Sequence, residues 1–172
     1  MTARGTAALY AVLLVLGALV WLTTPGPETA AGPRGLLDVE SRDRIARLEW
    51  VEADRRIELT RDDHGWRDAE GRRFDGGQVA DLLEALTTVH PLTTIDAADD
   101  EAAGYGLAPP RRLRLLDAGR RVLFDIAIGR RNPAATGLYV RLNGSDDVLL
   151  VGALLDWELA KLSRTATAAG EP

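Results

Sequence analysis

Sixteen residues near the amino terminus, Ala7 to Leu22, carry no charge. With Thr6, Thr23 and Thr24 the uncharged run reaches 19 residues, close to the roughly 20 that cross a hydrocarbon core at about 1.5 Å per residue. A helix that is apolar on every side has no polar face for water, so a membrane span over residues 7–24 fits better than a core helix at a chain end. Trp21 falls at the far boundary, where indole rings favour the headgroup zone, and Arg4 lies with the amino terminus at the near one. The positive-inside tendency then sets residues 1–6 in the cytoplasm and everything beyond Thr24 outside it. The expected place is a bacterial inner membrane, crossed once, with the lipid bilayer as a partner of residues 7–24. A cleaved secretory signal is the alternative, but the small residues Thr29, Ala30 and Ala31 lie beyond two prolines, far from the apolar run. Both readings export the same domain.

Residues 25–35 read as an extended linker, because three prolines and two glycines between Thr23 and Pro33 stop the helix and favour a tether. The folded domain is expected over residues 36–164, with 165–172 a patternless, frayed tail. Composition removes several classes of function. The absence of cysteine excludes disulfides, thiol nucleophiles, acyl-cysteine anchors and cysteine-held metals. A formal charge of -5 argues against nucleic acid, whose binding needs a clustered cationic surface.

Within the domain two periods alternate. Short segments rich in branched and aromatic residues, from Ile45 to Val51, at Ile57 and Leu59, and at Trp66, read as three antiparallel strands joined at Glu52–Arg55 and His64–Gly65. Val79, Leu82, Leu83, Leu86 and Val89 then form the stripe of an amphipathic helix, capped by Asp75 and ended at His90-Pro91. Leu92 to Ile95 reads as extended, and Asp99 to Gly104 as a helical turn whose acids sit at its positive end. Beyond Pro110 four strands are expected in a meander, carrying Leu113 and Leu115, then Val122 to Ile128, then Leu138 to Leu142, then Val148 to Val151, with Asn143-Gly144 as a hairpin signal. Leu154, Leu155, Leu159 and Leu162 mark a second short helix. Stripes on the helices and faces on the strands are satisfied together by helices packed on an antiparallel sheet, an α+β domain.

One family shows this order of features. His64-Gly65-Trp66-Arg67, the Val79 to Leu86 helix, Tyr105-Gly106-Leu107 followed by Pro109-Pro110, Ile128-Gly129 followed by Pro133, and Tyr139-Val140 resemble the domain of unknown function 4340 over about residues 45 to 162. The resemblance implies an N-terminal membrane anchor with an exported domain, as its members have. Some members lie beside or are fused to gliding-motility-type ABC transporter components. No catalytic residue is established for the family, so none is carried over, and this chain has one domain copy where longer members have more.

Candidate sites are few. His64 with Asp62 and Asp63 offers metal-ligand chemistry, but all three favour turns and no second ligand cluster is visible, so no metal and no cofactor is expected. His90 suits the carboxyl end of a helix. Ser41, Ser145 and Ser163 lack a nucleophile elbow and a base, and no catalytic residue is expected. Arg130, Arg131 and Asn132 form a cationic loop able to hold an anion through bidentate contacts, with Arg111, Arg112, Arg114, Arg120 and Arg121 close in sequence. Against that, the chain uses 20 arginines and one lysine, so arginine is its default cation. Tyr105 and Leu107 offer a partner-binding loop, or else fold back to lock the crossover between the two halves.

The function expected from these features is a non-enzymatic accessory or interaction domain with an envelope protein partner. The alternative is a binding protein or enzyme acting on an anionic envelope ligand through the arginine loop. A pocket where two of those arginines converge with buried acids would favour the alternative, and arginines scattered to solvent would favour the accessory domain. Pairing of like domains across an exposed strand edge is a third reading.

Overall fold

Alternation of apolar and charged residues along so many short segments needs one broad surface on which every apolar half can meet. The computed structural model describes residues 35–97 and 99–168. The expected span at 7–24 and the linker up to residue 34 lie outside the described residues. Nine strands form one antiparallel sheet: β1 (Arg47–Glu52), β2 (Arg55–Asp62), β3 (Gly65–Arg67), β4 (Arg73–Phe74), β5 (Pro91–Ile95), β6 (Arg111–Leu116), β7 (Val122–Arg131), β8 (Gly137–Leu142) and β9 (Val148–Gly152). Their spatial order is β4-β3-β2-β1-β6-β7-β8-β9-β5. The described helices are α1 (Val39–Arg42), α2 (Gly76–Thr88), α3 (Leu154–Ala168) and a 3₁₀ segment over Asp99–Tyr105.

Register explains the layering. Leu48 and Trp50 of β1 lie opposite Leu115 and Leu113 of β6, which lie opposite Phe124 and Ile126 of β7. All six are buried, in one core with Val79, Leu82 and Leu86 of α2 and Leu155, Leu159 and Leu162 of α3. Burying each such side chain contributes on the order of 1.5–3 kcal/mol. Because successive strand residues face opposite sides, Glu49, Arg114 and Asp125 line up on the far face in the same three strands. There a smaller core forms from Ala97, Ala102, Leu107 and Val148, with Ile95, Tyr105, Ala127 and Tyr139 against it. The sheet thus carries α2 and α3 on one face and the 95–107 crossover on part of the other.

The α+β arrangement of an antiparallel sheet with two long amphipathic helices matches the expectation, and the β6-β7-β8-β9 meander is consecutive in space. Asp75 caps α2 by accepting from the Gly77 amide at 2.9 Å, and the helix gives way to β5 at His90-Pro91 as expected. Near the start of the described residues, the Leu36 and Leu37 amides donate to the Val89 and Leu86 carbonyls. Four details differ. β4 adds a fourth strand ahead of α2 where three are expected, setting Phe74 opposite Trp66. The β8–β9 connection takes residues 143–147 rather than a tight two-residue turn, because the Asn143 amide donates to the Asp125 carbonyl of β7 and the Ser145 amide closes back on Leu142. α1 has no counterpart in the periodicity. α3 runs to Ala168, four residues into the expected tail, since its buried side ends near Leu162 and the alanines and threonines beyond it simply continue the turns; residues 169–172 lie outside the described residues. Among the described residues no helix is long and apolar enough to cross a membrane.

Candidate functional site

Strand alternation divides the arginines that the sequence places close together. Arg111 shares a face with Leu113 and Leu115, under the helices, whereas Arg112 and Arg114 point to the far face with Asp125. Arg120 and Arg121 belong to the β6–β7 turn, where Asp117 accepts from the Arg120 and Arg121 amides. No single patch gathers them.

Two arginine–carboxylate centres result. Asp156, in the first turn of α3 and 6% exposed, accepts from Arg131 Nε at 2.7 Å and lies 2.5 Å from its Nη2. Arg111 Nη1 stands 3.5 Å from the other oxygen of Asp156 and 3.6 Å from Glu52, while its Nη2 donates to the Gly129 carbonyl at 2.7 Å. Ser163 donates to Glu52 at 3.3 Å and accepts from Trp50 Nε1 at 3.1 Å. The helix amino terminus adds favourable potential at the Asp156 carboxylate. This chain of contacts fastens α3 to the ends of β1, β6 and β7. On the far face, Arg112 holds Asp125 with two parallel hydrogen bonds of 2.7 and 2.8 Å, and Arg114 adds a third contact at 3.3 Å. The bond to Asp125 pushes the Arg112 pKa further up, against the opposing effect of burial.

The three residues of the expected anion loop have separate surroundings. Arg131 is committed to Asp156. Asn132 closes its own turn: Oδ1 accepts from the Thr136 and Gly137 amides at 2.9 and 3.0 Å, and Nδ2 donates to Thr136 Oγ1 at 3.1 Å. Arg130 is exposed. Two of the arginines, 111 and 131, therefore do converge with a buried acid, and that acid occupies the fork of one and faces the other.

Tyr105 and Leu107 belong to the smaller core. Leu107 is 7% exposed, and the Tyr105 ring meets the Tyr139 ring edge-to-face, centroids 5.0 Å apart. Such pairs contribute on the order of 0.5–1.5 kcal/mol beyond burial. The backbone of Gly106 abuts Arg130, and Gly129 abuts the Tyr105 carbonyl, so three of the short motifs meet at one point. His64 lies in a turn closed by its own amide on Asp62 Oδ1 at 2.7 Å. Among the described residues no group of His, Asp and Glu is arranged to hold a metal ion.

Sequence reasoning names the arginines but not their acids. Asp156 is legible as an acid in the first turn of a helix, but Asp125 is not, because a bulge between Leu115 and Leu116 shifts the β6–β7 register and sets it opposite Arg114 where plain counting from the turn gives Leu113. Glu52 and Ser163 gave no signal, because they are 111 residues apart.

The family model described as a domain of unknown function (DUF4340) matches residues 66–166. No curated protein and no solved structure matches the chain.

Proposed function

The chain belongs to the DUF4340 family of domains of unknown function, and from that premise we propose that it is a single-pass membrane protein whose α+β domain works outside the cytoplasm as an accessory module of an envelope complex, linked to an ABC transporter. The observation that carries this reading is the 16-residue uncharged run from Ala7 to Leu22, with a proline- and glycine-rich tether after it and Leu36 hydrogen-bonded into the fold beyond. The arginine and carboxylate groups that converge are joined to each other and hold elements together, which suits a rigid module that presents a surface. The test is topology. A tag after Pro172 should be cut by protease added to spheroplasts, and the chain should stay with membranes washed in alkaline carbonate. Release by the wash would refute the anchor, and a tag cut only after the membrane is broken would refute the export of the domain. Crosslinking in membranes followed by purification should then recover a transporter component, and recovery of no protein would sink the accessory role.

Arg130, exposed at the end of β7 beside the ion-paired Arg131, supports a second reading: an anionic envelope ligand held there. Replacement of Arg130 and Arg131 by alanine should abolish retention on an immobilised polyuronate. Retention unchanged in that variant would exclude this reading.

A further inference from the structure

Leu155, Leu159 and Leu162 turn one side of α3 into the core, and the helical period sets Leu154, Trp157, Lys161 and Arg164 along the outward side. Leu154 is 48% exposed and Trp157 58%, and Arg164 is exposed. Trp50 shows what the fold does with an indole it needs: the ring is buried and its nitrogen bonded to Ser163. Trp157 is the opposite case, since its indole nitrogen donates to no acceptor among the described residues. Its ring is nevertheless held in place. Lys161 Nζ stands 5.2 Å from the ring centroid and is pinned there by Asp81 at 3.0 Å and Glu158 at 2.9 Å. Arg164 forms no ion pair among the described residues. A fixed indole with an open N–H, an apolar neighbour one turn before it and an arginine two turns after it suit the boundary between hydrocarbon and headgroups.

We propose that the outward side of α3 lies on the bilayer surface, with Leu154 and Trp157 at the level of the acyl esters and Arg164 on headgroup phosphates. The route of the chain favours lipid as the occupant. Gly35 is packed against the backbone of Thr87, near the end of α2, and α2 is bridged to α3 by Asp81 and Lys161. Thr87 is six residues beyond Asp81 and Trp157 four before Lys161, so Trp157 lies within about 25 Å of Gly35 at ordinary helix rise and spacing. The ten residues 25–34 reach at most about 33–36 Å when extended. A domain on so short a tether keeps α3 within reach of the surface at all times. Two partly exposed side chains offer far less than the roughly 1,000 Å² that a stable protein interface buries, but they suffice for docking where lipid is already confined beside them. That confinement, though not the surface of α3 itself, rests on the anchor proposed above.

The tryptophans make the test direct. Trp50 and Trp66 are buried and Trp157 is exposed, and Trp21 lies in the uncharged run. The full-length chain is reconstituted into vesicles of phosphatidylethanolamine and phosphatidylglycerol whose acyl chains carry bromine close to the headgroup, a quencher that acts on contact. Relative to unbrominated vesicles, Trp21→Phe should lose roughly a third of its emission, one ring of those that remain. Trp21→Phe combined with Trp157→Phe should lose none. No loss in Trp21→Phe, or an equal loss in both, overturns the proposal. Trp157→Phe alone reports the anchor through Trp21: quenching there with none in Trp21→Phe keeps the span and removes the docking, whereas the converse keeps the docking and removes the span. Leu154→Asp added to Trp21→Phe should cut the quenching severalfold, while Val122→Asp, at the 46% exposed start of β7, should leave it unchanged. Equal effects of these two would mean chance encounters of a tethered domain and would also overturn the proposal. Should the Trp157→Phe chains lose their fold, the Leu154→Asp and Val122→Asp pair decides the matter on Trp157 itself.

Discussion

A β-carbon added to Gly106 would lie 2.7 Å from the backbone nitrogen of Arg130, and Gly106 itself sits at a φ of +76°. The crossover between the two halves of the chain is therefore seated directly on the end of β7. Gly106→Ala should cost about 2–4 kcal/mol, combining left-handed backbone strain with overpacking. Gly104→Ala, two residues away with open space around it, should change stability little. Urea denaturation of both variants checks this, and equal effects would mean that the crossover floats free of β7.

Asp156→Ala should destabilise the domain by about 1–3 kcal/mol, because two guanidinium groups lose a buried acceptor. Glu70→Ala breaks an exposed pair with Arg72 and should fall within about 0.5 kcal/mol of the parent. A thermal melt of each variant distinguishes them.

Trp50 is fully buried, and its indole nitrogen reaches Ser163. Trp50→Ala should cost about 3–5 kcal/mol through the cavity it leaves. Ser163→Ala removes the acceptor of the indole N–H together with the hydroxyl that donates to Glu52, and should cost about 1–2 kcal/mol. A loss in Ser163→Ala as large as in Trp50→Ala would mean that the polar link, rather than the packed ring, holds α3.

Two carboxylates of the β2–β4 hairpins titrate below their ordinary value of 3.8. For Asp62 the first cause is the Arg67 hydrogen bond, then the His64 amide. For Asp68 burial pushes upward, and the side chain and amide of Arg72 with the Glu70 amide outweigh it. A folded-state pKa below the unfolded one means stabilisation that is present above about pH 3.8 and disappears as pH falls through the folded value. Carboxyl-carbon NMR titration should show both midpoints below 3.8, with Arg67→Gln moving Asp62 upward and leaving Asp68 in place. A midpoint for Asp62 at or above 3.8 would contradict the geometry.

What the sequence discloses is whatever short-range periodicity controls. The stripe from Val79 to Val89 becomes α2, and the alternation over Val122 to Ile128 becomes β7, because burial on one face selects those periods directly. Pairing between distant strands leaves no such trace. Nothing in Leu48 or Leu115 announces that β1 lies against β6, or in Thr94 that β5 joins β9. The arginines suffer the same limit: seven positions that look like one basic region are sorted by pleat and turn onto different sides, and only three-dimensional placement reveals the acids that answer them. The smaller core around Tyr105 and Tyr139 depends on the route of the crossover, which its glycines permit without dictating.

The place of β1 and β2 in the sheet separates inheritance from folding. The span by which relatives are recognised opens at Trp66, yet the two strands before it stand between β3 and β6. A polypeptide cut to the recognised span would keep both margins of the sheet and lose its middle, stranding β3 and β4 with nothing to lean on. In this chain the core that those strands complete is also lined by Leu37, Leu48, Trp50 and Leu59, all of them ahead of the matched span.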